Sequence, residues 1–123
     1  MNIVLWIIAV VLAVAFGAAG FMKLTTPKPT LAEKMDWVED FSERTVKLIG
    51  AVEVLGALGL VLPAALDIAP VLTPLAASGL ALTMVLAALT HARRNEFSMI
   101  PVNVVLGGLA LFVAIMRFGS QSF

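Results

Sequence analysis

Four apolar runs, each about as long as a helix that crosses a bilayer, occupy most of this chain and leave only short polar segments between them. A hydrocarbon core of roughly 30 Å is spanned by about 20 helical residues, and lipid offers the backbone no hydrogen-bond partners of its own. The runs fall at residues 3–22, 46–62, 74–93 and 98–116. The expected fold is therefore all-α: an integral membrane bundle of four transmembrane helices, forming one membrane domain over residues 1–123, with a short amphipathic helix between the first two spans.

Composition excludes the soluble alternative. Hydrophobic residues make up 61% of the chain and charged residues 13%, against roughly half and a quarter in soluble domains. A fold this small has too much surface for its volume to hide that much apolar material from water. Formal net charge is zero and no basic tract occurs, which leaves nothing to neutralise a nucleic-acid backbone. The chain has no cysteine, so disulfides, thiol redox chemistry and thiolate metal sites are excluded in it. The first run contains the small residues of a signal-peptide cleavage region. It lacks a preceding basic residue and exceeds the roughly 7–15 residues of a signal core, so it is read as a retained span.

Prolines and polar residues punctuate the runs. Pro63 is expected to stop the second span, with a short turn around Asp67, and Thr73-Pro74 to cap and open the third. The fourth is expected to start near Ser98 with Pro101 in its first turn, and Arg117 to mark its exit. Between the first two spans, Pro27-Lys28-Pro29 is expected to break the chain and Thr30-Leu31-Ala32-Glu33 to open a short helix with a capping box. Leu31, Met35, Val38 and Phe41 fall near one face of that helix, with Glu33, Lys34, Asp36, Glu39, Asp40, Glu43 and Arg44 as its polar surface. Two readings fit: an amphipathic helix at the membrane surface, or a connector whose apolar residues cover the end of the bundle.

Orientation follows from the basic residues. Lys23, Lys28, Lys34, Arg44, Lys47, Arg93 and Arg94 flank the first and third loops, and Arg117 alone lies at the other side. The positive-inside rule puts loops 23–45 and 91–97 in the cytoplasm and both termini outside a multi-pass cell-membrane protein.

Glu53 is the residue that most needs a reason, since it lies roughly 10 Å inside the second span at ~1.5 Å per residue. A carboxylate at that depth faces the bundle interior and pairs, either as a functional group or as an inter-helix tether. Antiparallel spans bring the end of the first, the start of the second, the end of the third and the start of the fourth to one membrane face. Those ends carry Lys23, Glu53, His91 with Arg94, and Asn103. The expected ligand pocket has Glu53 at its floor, His91 and Arg94 at its rim, and Lys23 and Asn103 on its walls. Each has a plainer use: Lys23 can snorkel, Arg94 can fix topology, His91 can end a helix, and Asn103 can join helices. Gly17, Gly20, Gly50, Gly56 and Gly59 are expected to let helices pack closely around this region. No metal-binding motif, catalytic constellation or phosphate loop is present, and a single histidine cannot hold haem between two.

Phe16-Gly17-Ala18-Ala19-Gly20-Phe21-Met22-Lys23-Leu24, Gly50-Ala51-Val52-Glu53-Val54-Leu55-Gly56-Ala57-Leu58-Gly59-Leu60, Thr90-His91 with Glu96, and Asn103 together resemble the DoxX-like family of small four-helix membrane proteins. That family takes its name from a subunit associated with a thiosulfate:quinone oxidoreductase, and other members are linked to membrane redox complexes. The resemblance implies a redox-complex subunit or a binding protein for a quinone or other lipophilic ligand, with a membrane redox partner or a homo-oligomer as its company and no covalently bound cofactor. Any sulfur chemistry would belong to a substrate or partner. Two further readings stand beside it. One is a small proton-coupled transporter using Glu53, comparable to small multidrug transporters in size and span number, though those carry their glutamate in the first helix. The other is a purely structural subunit.

Overall fold

The computed structural model describes residues 1–33 and 35–123; Lys34, counted above with the connector's polar surface and the basic residues, lies outside the described residues. Helix α1 covers Asn2–Thr25, α2 Lys28–Ala32, α3 Glu43–Leu66, α4 Leu72–Arg93 and α5 Ile100–Phe118. Short 3₁₀ turns at Asp36–Asp40 and Phe97–Met99 precede α3 and α5. Helices α1, α3, α4, and α5 with the turn before it, are long and apolar enough to cross a membrane.

The four long helices close into a ring: α1 packs on α3, α3 on α4, α4 on α5, and α5 touches α1. Leu5, Leu12 and Phe16 of α1, Leu60 of α3, Leu80 of α4 and Val113 of α5 fill the centre. The outer faces are as apolar as the core, with Ile3, Ile7, Leu55, Leu82 and Val104 all exposed. Burying one such side chain is worth about 1.5–3 kcal/mol in water, so a surface made of them requires lipid as its solvent.

Several boundaries differ from the sequence expectation, each for a local reason. Helix α3 does not stop at Pro63 but continues to Leu66. A proline there deletes the N–H that would bond to the Gly59 carbonyl. The Thr73 hydroxyl supplies the missing donor, reaching Gly59 O at 3.2 Å and Leu60 O at 3.4 Å. Thr73 is therefore not the N-cap of α4, which begins one residue earlier at Leu72. The turn that follows α3 has left-handed backbone at Asp67 and Ala69, and Ile68 N–H closes it onto Pro63 O at 2.9 Å.

The connector also departs from expectation. Helix α2 starts at Lys28, so Thr30 sits inside it and no capping box forms. Pro29 in the first turn lacks an N–H that a helix start does not use, so it begins the helix and does not break it. The chain then re-forms as the 3₁₀ turn in place of one continuous helix, and Leu31 and Val38 are fully buried against Val46. Of the two readings of this segment, its apolar residues cover the end of the bundle.

Helix α5 begins at Ile100, after Ser98 has been taken into a 3₁₀ turn, with Pro101 in its first turn. Arg117 lies in the last turn of α5, as expected of a residue that marks its exit, but it is not exposed there. It is buried inside α5, donates to Gln121 O at 2.9 Å and stacks on the Phe123 ring, because the last residues fold back over that end.

Candidate functional site: a cavity in the polar half of the bundle

The site is built on a close approach of two backbones. A Cβ on Gly20 would lie 2.6 Å from the Gly50 carbonyl oxygen, and one on Gly50 would lie 2.7 Å from that of Gly20. Only glycines let α1 and α3 meet this closely. Three residues on from each glycine along the chain stand Lys23 and Glu53, each packed against the opposite glycine, and the contact that joins the helices also joins these two side chains. Lys23 Nζ donates to Glu53 Oε1 in an ion pair, with both side chains buried. Gly56 and Gly59 serve α3 against α4 in the same way, their Cβ positions falling 2.7 Å from Leu80 and 2.8 Å from Ala76. Gly17 differs, since a Cβ there would make an ordinary 3.6 Å contact with Ala57.

Above the pair lies a cavity of about 630 Å³ between α1, α3, α4 and α5. Lys23, Glu53, His91 and Asn103 all line it, over a base formed by Phe16, Met84 and Leu106. Leu48 and Val52 of α3 and Leu86 and Leu89 of α4 line it too and are exposed on the outside of the bundle, so the cavity opens sideways toward lipid. Met35, Trp37 and Phe41 of the connector close its polar end. Trp37 sits with its ring centroid 5.5 Å from Lys23 Nζ and meets Phe41 edge to face.

Arg94 is not on the cavity wall; the neighbouring Arg93 is. Arg94 instead binds Asp40 of the connector at 2.7 Å and Glu96 at 3.2 Å, and Glu96 in turn meets His91 Nδ1 at 3.0 Å. This chain of contacts fastens the connector to the loop after α4 and orients the His91 ring. The hydrogen bond that Arg94 donates to Asp40 is the main reason its guanidinium titrates above its ordinary value, against some desolvation.

Asn103 is held differently. Its Nδ2 points to Met84 Sδ at 3.7 Å, and its Oδ1 is buried with no partner. A thioether can only accept, so the amide nitrogen belongs on that side and the oxygen on the other. The residues that the sequence did not single out are Met84, Trp37 and Asp40. Met84 and Trp37 look like any other apolar residues of a span or connector, and Asp40 is one acid among several; only their positions in the fold distinguish them. Among the described residues, no group of acidic and histidine side chains has the arrangement of a metal site.

The model of the DoxX-like family matches residues 7–113, which takes in the whole of α3 and α4, most of α1 and α5, and every cavity residue named above. No curated protein and no solved structure matches the chain.

Proposed function

This chain belongs to the DoxX-like family, and we propose that it is a lipophilic-ligand-binding accessory subunit of a membrane redox system, taking a quinone-like molecule into the cavity beside Glu53. One observation carries this reading: an apolar cavity of about 630 Å³, open to lipid between α3 and α4, ends on a buried cluster of Lys23, Glu53, His91 and Asn103. Ligand sites combine mostly apolar walls with a few convergent polar groups, and a lateral opening suits a molecule that arrives dissolved in the bilayer. The redox setting rests on the family, whose name comes from a subunit associated with a quinone-reducing enzyme. On the positive-inside rule the polar end of the cavity faces the cytoplasm.

The ion pair weighs against a proton-coupled transporter. A carboxylate that alternates between a proton and a cationic substrate needs to be free of a fixed counter-ion, and Glu53 has Lys23 bound to it.

Native mass spectrometry of protein extracted gently from its own membrane tests the proposal. A quinone-sized lipophilic molecule is expected to stay bound to the wild type. It should be lost from Ala87→Phe, which fills the cavity without disturbing the ion pair. Wild-type protein that emerges empty, or a ligand that survives Ala87→Phe, overturns the cavity as the site.

A further inference from the structure

Leu86, Leu89, Thr90 and Arg93 recur on α4 at intervals of three and four residues, so they stand along one strip of the helix, and all four line the cavity. Leu86 and Leu89 form one edge of the lateral opening, and Arg93, a turn further on, ends that edge at the level of the connector. Arg93 is exposed as well as lining, which places it at the mouth. Its guanidinium has no hydrogen-bond or ion-pair partner among the described residues, whereas the neighbouring Arg94 is held by Asp40 and Glu96. Glu53 is the one acid among the described lining residues, and it is already bound to Lys23. Glu96 does not line the cavity and is engaged by His91 and Arg94. The lining thus sets two cations, Lys23 and Arg93, against a single carboxylate.

Resting on the proposed ligand-binding function, we infer that the lipophilic molecule this cavity takes is an acid, with a carboxylate head that accepts from Arg93 at the mouth and an apolar body held between α3 and α4. A carboxylate meets the planar fork of a guanidinium with two parallel hydrogen bonds, and its one negative charge balances the lining. A phosphate monoester would bring a second charge with no free cation to face, since Lys23 is held by Glu53. A neutral molecule of the same shape fills the same apolar walls and leaves Arg93 to water and lipid headgroups. Charge by itself does not single out this residue, because Lys28 and Arg44 at the same end of the bundle also have no ion pair among the described residues. What sets Arg93 apart is the apolar opening that begins one turn before it, where a head and a tail can be held at once; Lys28 and Arg44 do not line the cavity.

Calorimetric titration of the protein in nanodiscs of zwitterionic lipid, with empty nanodiscs subtracted, decides this with 3-decyl-4-hydroxybenzoate, its methyl ester, palmitate and decylubiquinone. The wild type is expected to bind the ring acid about tenfold more tightly than its ester, the lower end of what a hydrogen bond to a charged group contributes. Arg93→Gln should bring the acid down to the ester, whereas Lys28→Gln, which removes a cation from the same end but not from the cavity, should leave the ratio unchanged. Ala87→Phe should abolish binding of the acid, which separates the cavity from adsorption at the surface. Palmitate bound as tightly as the ring acid supports the carboxylate and places its source among fatty acids; weaker palmitate supports it and keeps the ring. Equal affinities for acid and ester in the wild type, a preference that persists in Arg93→Gln, or acid binding that survives Ala87→Phe overturns the inference. Decylubiquinone that then still binds the wild type and not Ala87→Phe leaves the proposed function standing, and binding of none of the four probes overturns both.

Discussion

Lys23 and Glu53 are each untenable alone at their depth and stable together, which makes the pair the most consequential contact in the bundle. A buried ion pair repays the removal of its charges from water only while both partners are present, and deleting one leaves the other uncompensated. Glu53→Leu and Lys23→Met should each cost about 3–5 kcal/mol of stability in detergent, read from denaturant unfolding, whereas the double substitution should recover most of the loss. A double variant as unstable as the sum of the singles would mean that the two residues do not act as a pair. At this scale the sequence was partly informative. A carboxylate inside an apolar run is conspicuous, and depth alone nominated Lys23, His91, Arg94 and Asn103 as its neighbours, of which Arg94 turns instead to the connector. Depth could not choose among them, because the choice depends on which helices are adjacent and how closely, and that is settled by Gly20 meeting Gly50.

The elements show why helix boundaries were harder to foresee than helices. Apolar runs of membrane length are unmistakable, but a proline signals a helix end only if nothing supplies the donor it removes. In α3 the donor comes from the next helix: Thr73 bonds to the Gly59 carbonyl that Pro63 leaves free, and no local pattern announces a partner 14 residues away. The two residues should therefore be energetically coupled. Thr73→Val is expected to destabilise the bundle by about 1–2 kcal/mol, as loss of a partner to a buried carbonyl does. The same change made in a Pro63→Ala background should cost much less, since alanine restores the helix's own N–H. A double-mutant cycle by thermal unfolding checks it, and additive effects would mean that Thr73 does not compensate for the proline. The connector's two readings could not be told apart from sequence for a related reason. Its apolar residues recur at helical spacing, yet Leu31 and Val38 reach the same buried cluster from two separate short pieces, because the bundle end, and not a helix axis, organises them.

On the scale of the whole molecule the bundle is polarised along its axis, with the ion pair, His91, Asn103 and the connector at one end, and at the other a single buried cation, Arg117, folded under the C-terminal residues. This sharpens the topology, because a cation held by a carboxylate inside the protein anchors a loop less than one free to meet lipid headgroups. Lys23 is paired to Glu53, Lys47 to Glu43 and Arg94 to Asp40 and Glu96. Lys28, Arg44 and Arg93 have no ion pair among the described residues, and all three stand at the connector end. Discounting the paired cations thus leaves the bias in place, and the connector end is expected in the cytoplasm. The absence of native cysteine makes the check direct: single cysteines at Glu33 and Ser98, both exposed at the connector end, and at Ile68 and Ser120, both exposed at the opposite end, can be challenged with a membrane-impermeant maleimide on intact cells. Ile68→Cys and Ser120→Cys should label from outside, while Glu33→Cys and Ser98→Cys should label only after the membrane is opened. The reverse pattern would turn the cavity's polar end away from the cytoplasm, so that any redox partner docking over Trp37 and the connector would have to approach from the outer side.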